Sequence, residues 1–230
     1  MTTAAQVKKM VRPLLERHAD LELVGRWIYV KPVQHFARAI LIDRTSMANR
    51  FSARWAVIHL FQVRRSFTLS WGDHLDELLP GLSAFWWPTD APGIAEGLCD
   101  AIEKQAMPWL RTMSTLQLYL AFVSQNLFRH HMYDKGDAEV IVRVAQGYVG
   151  YARKLCEQQV ERWSTDEPYH DDDDRAHFRR LRELYPLVMN DDRAGLARLL
   201  HSWEAETVKN FKIEHLWEPT PFPLELQPPK

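Results

Sequence analysis

The stretch RWAVIHLFQ, residues 54 to 62, constrains the fold of this chain more than any other. In an extended backbone Trp55, Val57, His59 and Phe61 share one face, and Ala56, Ile58 and Leu60 share the other. Both faces are mainly apolar, whereas a strand with one wet face alternates apolar and polar residues. The pattern predicts a central strand covered on both sides, so other parts of the chain must supply the covering layers.

Short runs rich in β-branched and aromatic residues surround it: RWIYVKP (26 to 32), HFARAILIDRTS (35 to 46) and SFTLSW (66 to 71). With residues 54 to 62 they predict a four-stranded antiparallel meander. Ahead of it, Val7, Met10, Val11, Leu14 and Leu15 recur at steps of three and four, which makes residues 5 to 18 an amphipathic helix able to pack on the sheet.

The pattern turns helical further on. A helix from Ile94 to Ala106 is expected to stop before Pro108. Ser114 with Gln117 fits a capping box for a helix whose seam is Leu116, Leu120, Val123 and Leu127. Asp137 is expected to cap one continuous helix carrying Ile141, Val144, Tyr148, Tyr151 and Leu155. Helices about 174 to 188 and 192 to 211 follow, the second with Leu196, Leu199, Leu200 and Trp203 on one side. The closing EPTPFPLELQPPK holds five of the 13 prolines and is expected to be extended. The expected class is α+β: residues 1–90 form helix plus sheet, residues 91–217 a helical bundle packed with them as one compact unit, and residues 218–230 a proline-rich tail.

Composition narrows the function classes. The 29 Lys and Arg against 30 Asp and Glu leave a net charge of -1, so no global field draws the chain to nucleic acid or an anionic membrane. No apolar run approaches the ~18 residues needed to cross a bilayer. Two cysteines, Cys99 and Cys156, are too few for a disulfide framework, and MTTAAQVKKM lacks the apolar run of a signal peptide, so a cytoplasmic location is expected. Neither GxxxxGK[ST] nor GxGxxG occurs, which excludes nucleotide binding by those routes. Ser66, Ser70 and Ser83 lack the surroundings of a hydrolase elbow.

Two clusters could hold a divalent metal. In HDDDDRAH, Asp171, Asp172 and Asp174, with Asp173 and the flanking His170 and His177, offer hard oxygen and imidazole ligands. Adjacent aspartates diverge unless the backbone curls around an ion, and the favoured reading is charge at the start of the helix that follows. In FRHHMYDKGD, His130, His131 and Asp134 lie between two expected helices, but adjacent histidines do not share a helical face as an HExxH pair does. The favoured reading there is a polar helix end. His59 reads as a satisfied buried histidine. Docking candidates are the sheet edge, the basic pair Arg64 and Arg65 near Arg54, and the adjacent Trp86 and Trp87, which can equally plug an open sheet end.

Residues 102 to 120, IEKQAMPWLRTMSTLQLYL, resemble a bacterial family classed as a domain of unknown function, in which a helix ending in "ALPWL" precedes a basic residue and Ser-Thr. The same family opens with a helix like VKKMVRPLLERHA followed by antiparallel strands, so the likeness covers roughly residues 5–125. Trp27 and its following turn depart from the "GFxxxG" opening of such proteins. The resemblance implies no catalytic residues and an interaction or immunity role. The expected function is therefore a non-catalytic cytoplasmic module that binds another protein without a cofactor. The alternative is a metal-dependent hydrolase built from His130, His131 and the Asp171 to Asp174 run, should these converge.

Overall fold

The computed structural model describes residues 3–65, 72–75, 86–118, 121–122, 135–164 and 172–226. The protein is α+β, with an antiparallel sheet in its N-terminal half and helices toward the C-terminus. It divides into two compact units. One comprises Met1–His59, Phe67–Leu127 and His215–Glu218; the other comprises Leu60–Ser66, Phe128–Glu214 and Pro219–Lys230.

The first unit begins with α1 (Ala4–Arg17), whose start is closed reciprocally: Gln6 N–H donates to Thr3 Oγ1 at 3.2 Å and Thr3 N–H to Gln6 Oε1 at 2.8 Å. Val7, Val11 and Leu14 are fully buried, as the four- and three-residue spacing requires. Among the described residues six strands follow: β1 (Leu21–Val24), β2 (Trp27–Val30), β3 (Phe36–Arg44), β4 (Arg50–His59), β5 (Gly72–His74) and β6 (Trp87–Pro88). The sheet order is β1-β2-β3-β4-β5, with β6 also pairing β4.

The meander thus has a strand that the sequence patterning did not suggest. LELV and WIYV form a tight hairpin around Gly25, whose φ of +66° is a conformation that glycine adopts without steric cost. The expected strand at residues 66–71 lies outside the described residues, and β5 follows directly after it.

β4 pairs β3 from Phe36↔His59 to Arg44↔Phe51 and takes β5 and β6 on its other side. Phe51, Ala53 and Val57 are buried on one face, Ala56 and Ile58 on the other. The two-sided apolar pattern of residues 54 to 62 therefore corresponds to a central, two-sided strand, with the helix Met107–Thr112 packing on it. Its far end is shorter than expected, since β4 stops at His59.

The helix expected to halt before Pro108 continues past it. α2 (Ile94–Ala101) passes through a π-helical turn, Ile102–Ala106, into α3 (Met107–Thr112). Met107 N–H bonds Ile102 O, five residues back, so the ladder has already changed step when the chain reaches the residue that cannot donate. The next helix start falls one residue later than expected, with Leu118 N–H donating to Thr115 Oγ1 at 3.2 Å. Of its expected seam, Leu116 is buried, and Leu120, Val123 and Leu127 lie outside the described residues.

A charged cluster ties α1 to α3. Arg111 grips Asp20 with Nε and Nη2, each at 2.9 Å, and Glu103 lies 2.7 Å from His18 Nε2 and 2.9 Å from Arg17 Nη2. The Arg111 hydrogen bond holds the Asp20 carboxyl below its ordinary range. Burial works against ionisation of Glu103, but His18 and Arg17 together leave its carboxyl lowered as well. A carboxylate with a depressed folded-state pKa stabilises above its unfolded value and loses that contribution as the pH falls through its folded one. Thermal stability is thus expected to fall below about pH 5, and Asp20→Asn to flatten that slope in melts between about pH 3 and 7. A slope unchanged by the substitution would remove Asp20 from the acid response.

In the second unit α4 (Lys135–Ala145), α5 (Val149–Ser164), α6 (Asp172–Met189) and α7 (Arg193–Phe211) pack each against the next. The single helix expected through residues 137 to 155 is in fact two. Gly147, at φ +84°, ends α4, and the expected seam residues Tyr148 and Tyr151 are about half exposed beyond the break. Asp137 does not cap α4 from outside. It is buried in the first turn, where its Oδ1 accepts from Trp163 Nε1 at 2.7 Å and its Oδ2 lies 3.2 Å from His177 Nε2.

In α7, Leu196, Leu200 and Trp203 face the core as expected, while Leu199 is half-buried. The chain after residue 218 is not simply extended. Phe222 and Leu224 are buried, and α8 (Pro223–Leu226) packs on α7 and α4.

Candidate functional site

In the first unit, β1 is an edge strand of the sheet, hydrogen-bonded only to β2 among the described residues. Its backbone alternates direction along the strand. Asp20 O accepts from Lys31 N–H at 2.7 Å, toward β2, whereas Leu21 N–H turns the other way to His18 O at 3.0 Å. By that alternation the Leu21 carbonyl and both polar groups of the Leu23 backbone point off the sheet. They are a template for another extended chain.

Beside this edge lies a groove of about 450 Å³ between α1 and β1, lined by Ala4, Ala5, Lys8 and Leu15 from the helix and by Leu21 and Leu23 from the strand. Small alanines on the first turn of α1 leave the space, and the half-buried Leu15 and Leu23 make it apolar. Its carboxylate, Glu22, is engaged already, 3.2 Å from Lys31 Nζ and 3.2 Å from His215 Nε2. Lys8 is exposed and has no carboxylate partner among the described residues. The groove offers backbone hydrogen bonds, apolar surface and one unmatched cation, a set suited to recognition.

The sheet edge was expected as a docking surface from the sequence, but this particular edge was not. β1 was missed because LELV is short and has a single β-branched residue, while the two-residue link Gly25-Arg26 was the available hairpin signal. Of the other docking candidates, Trp87 is fully buried and stacks on Phe51 with centroids 5.9 Å apart, so it plugs the sheet and presents no surface to a partner. Trp86 is half-buried.

Arg65 is exposed. Arg64 is half-buried, with Nη2 donating to Gln62 Oε1 at 2.9 Å and its backbone bonded to Thr207 and Asn210. Arg54 belongs to the first unit, and Arg64 and Arg65 to the second.

The metal-ligand candidates His130, His131, Asp134 and Asp171 lie outside the described residues. Asp172, Asp173 and Asp174 open α6, which begins at Asp172. His177 faces Asp137 in the second unit. Among the described residues no group of three His, Cys, Asp or Glu side chains could hold a metal ion. His59 is buried in the sheet. Cys99 and Cys156 are free and buried; burial raises both thiol pKa values, that of Cys156 to about 12, so neither is a ready thiolate nucleophile.

No protein-family model matches the chain, and no curated protein and no solved structure matches it. Among the described residues, no helix is long and apolar enough to cross a membrane.

Proposed function

We propose that this chain is a non-catalytic module, working in the cytoplasm without a cofactor, that binds another protein by adding an extended segment of it to β1. The observation that carries this reading is the outward-facing backbone of Leu21 and Leu23 beside the groove under α1. Strand addition uses those two elements together: main-chain hydrogen bonds hold the segment, and a neighbouring apolar groove receives its alternate side chains. Two unlinked, buried thiols agree with a reducing compartment. The likeness of residues 5–125 to the bacterial domain of unknown function supports a role of the immunity type, in which one protein holds another.

The test uses a dye-labelled, end-capped peptide of alternating Val and Gln, followed by fluorescence anisotropy. The unmodified chain is expected to bind it saturably, and Leu23→Pro to weaken binding at least tenfold, because proline removes the outward N–H while an edge strand tolerates it. A peptide N-methylated at alternate amides is expected to bind no more tightly than the proline variant binds the parent peptide. Equal binding by Leu23→Pro, with native circular dichroism, would overturn docking on β1.

A further inference from the structure

We infer that the segment added to β1 is acidic: an extended peptide with carboxylates alternating with apolar residues. This inference rests on the docking reading above and specifies its partner.

The groove is not electrically neutral. Its acidic wall residue, Glu22, lies between Lys31 and His215, each at 3.2 Å, so its charge is spent within the protein. The opposite wall has no such balance. Lys8 lines the groove, exposed and without a carboxylate partner among the described residues, and Lys9, its neighbour in sequence, adds a second exposed cation on the same turn of α1. Farther along α1, Arg12 pairs with Glu16 at 2.7 Å and Arg17 with Glu103 at 2.9 Å, so the unmatched positive charge is concentrated near the groove. The first turn of α1 contains no acidic residue to offset it.

A segment pairing with β1 would place every second side chain on the same side. Glutamates on the α1 side would lay their methylenes along Leu15, Leu21 and Leu23 and bring their carboxylates to the Lys8 ammonium, while the apolar residues between them would lie on the opposite face. A carboxylate there gains attraction, a lysine suffers repulsion, and a glutamine does neither. A second copy of this chain is a poorer occupant, because pairing β1 with its own copy would bring two basic α1 helices to one interface.

Three end-capped peptides of equal length serve as probes, alternating Val with Glu, with Gln and with Lys. The expected order of affinity is Glu, then Gln, then Lys, with at least tenfold between the first and last at low ionic strength. At about 0.5 M NaCl the preference is expected to shrink severalfold, since exposed charges are screened over a few ångströms. Lys8→Glu is expected to reverse the order. The variant should fold, because position 8 is exposed and a glutamate there stands four residues before Arg12, a favourable helical pairing.

Indifference to peptide charge, or a Glu preference that survives Lys8→Glu, would overturn the acidic partner while leaving strand addition standing. Failure of all three peptides to bind would overturn strand addition itself. A dimer in sedimentation at micromolar concentration that Leu23→Pro dissolves would assign the edge to a second copy and overturn the acidic peptide.

Discussion

Replacing Trp87 by alanine is expected to lower the unfolding free energy by about 3 to 5 kcal/mol, the usual cost of emptying a buried aromatic site. Trp87 is fully buried and pairs across the sheet with Phe51, the rings tilted by only 20°. β6 is two residues long, so its hold on β4 comes from this side chain more than from its ladder. The indole Nε1 is buried without an acceptor among the described residues, and an unmatched donor is itself a cost. Trp87→Phe, which keeps much of the ring and discards the N–H, is therefore expected to lose less than half as much. Urea unfolding curves for both variants check this. A loss below about 1 kcal/mol for the alanine variant would show that the β6 segment is not part of the core.

The tryptophan pair also shows what sequence patterning can and cannot reach. Adjacent Trp86 and Trp87 are equally apolar on paper, and only the pairing of residue 87 with Phe51 decides which one is buried. The two-sided burial of β4 was readable because both of its faces carry apolar side chains, and a local alternation suffices to say so.

Breaks in the helices were not readable in the same way. Gly147 is compatible with helix or with helix end, and the apolar spacing runs through it; only its positive φ in the folded chain separates α4 from α5. Pro108 misled in the opposite sense, since a π-helical turn let the chain pass it. The groove under α1 depends on two alanines and a glycine-turned hairpin meeting in space. Each is unremarkable in sequence, and the unmatched charge of Lys8 acquires meaning only once Glu22 is seen to be paired.

Phe222→Ala is expected to cost the second unit about 3 to 5 kcal/mol, although it falls in a segment whose five prolines suggest a loose tail. The Phe222 ring meets Phe61 edge to face at 5.5 Å and lies 4.7 Å from the His201 ring, with no surface left exposed. Its backbone is fastened too: Phe222 N–H donates to Glu225 Oε2 at 2.7 Å, and that oxygen is 2.9 Å from His201 Nε2 on α7. Proline assists this arrangement, because Pro223 occupies the first position of α8, where a missing N–H costs nothing.

The prolines flanking the ring restrict the unfolded chain and leave one large apolar side chain to be inserted, so the segment behaves as a peg. Urea unfolding of Phe222→Ala, with limited proteolysis after residue 218, separates the two pictures. A large loss with faster cleavage makes the segment part of the helical core. A loss within about 0.5 kcal/mol would mean that the peg rests on the surface and that Phe61 is covered by something else.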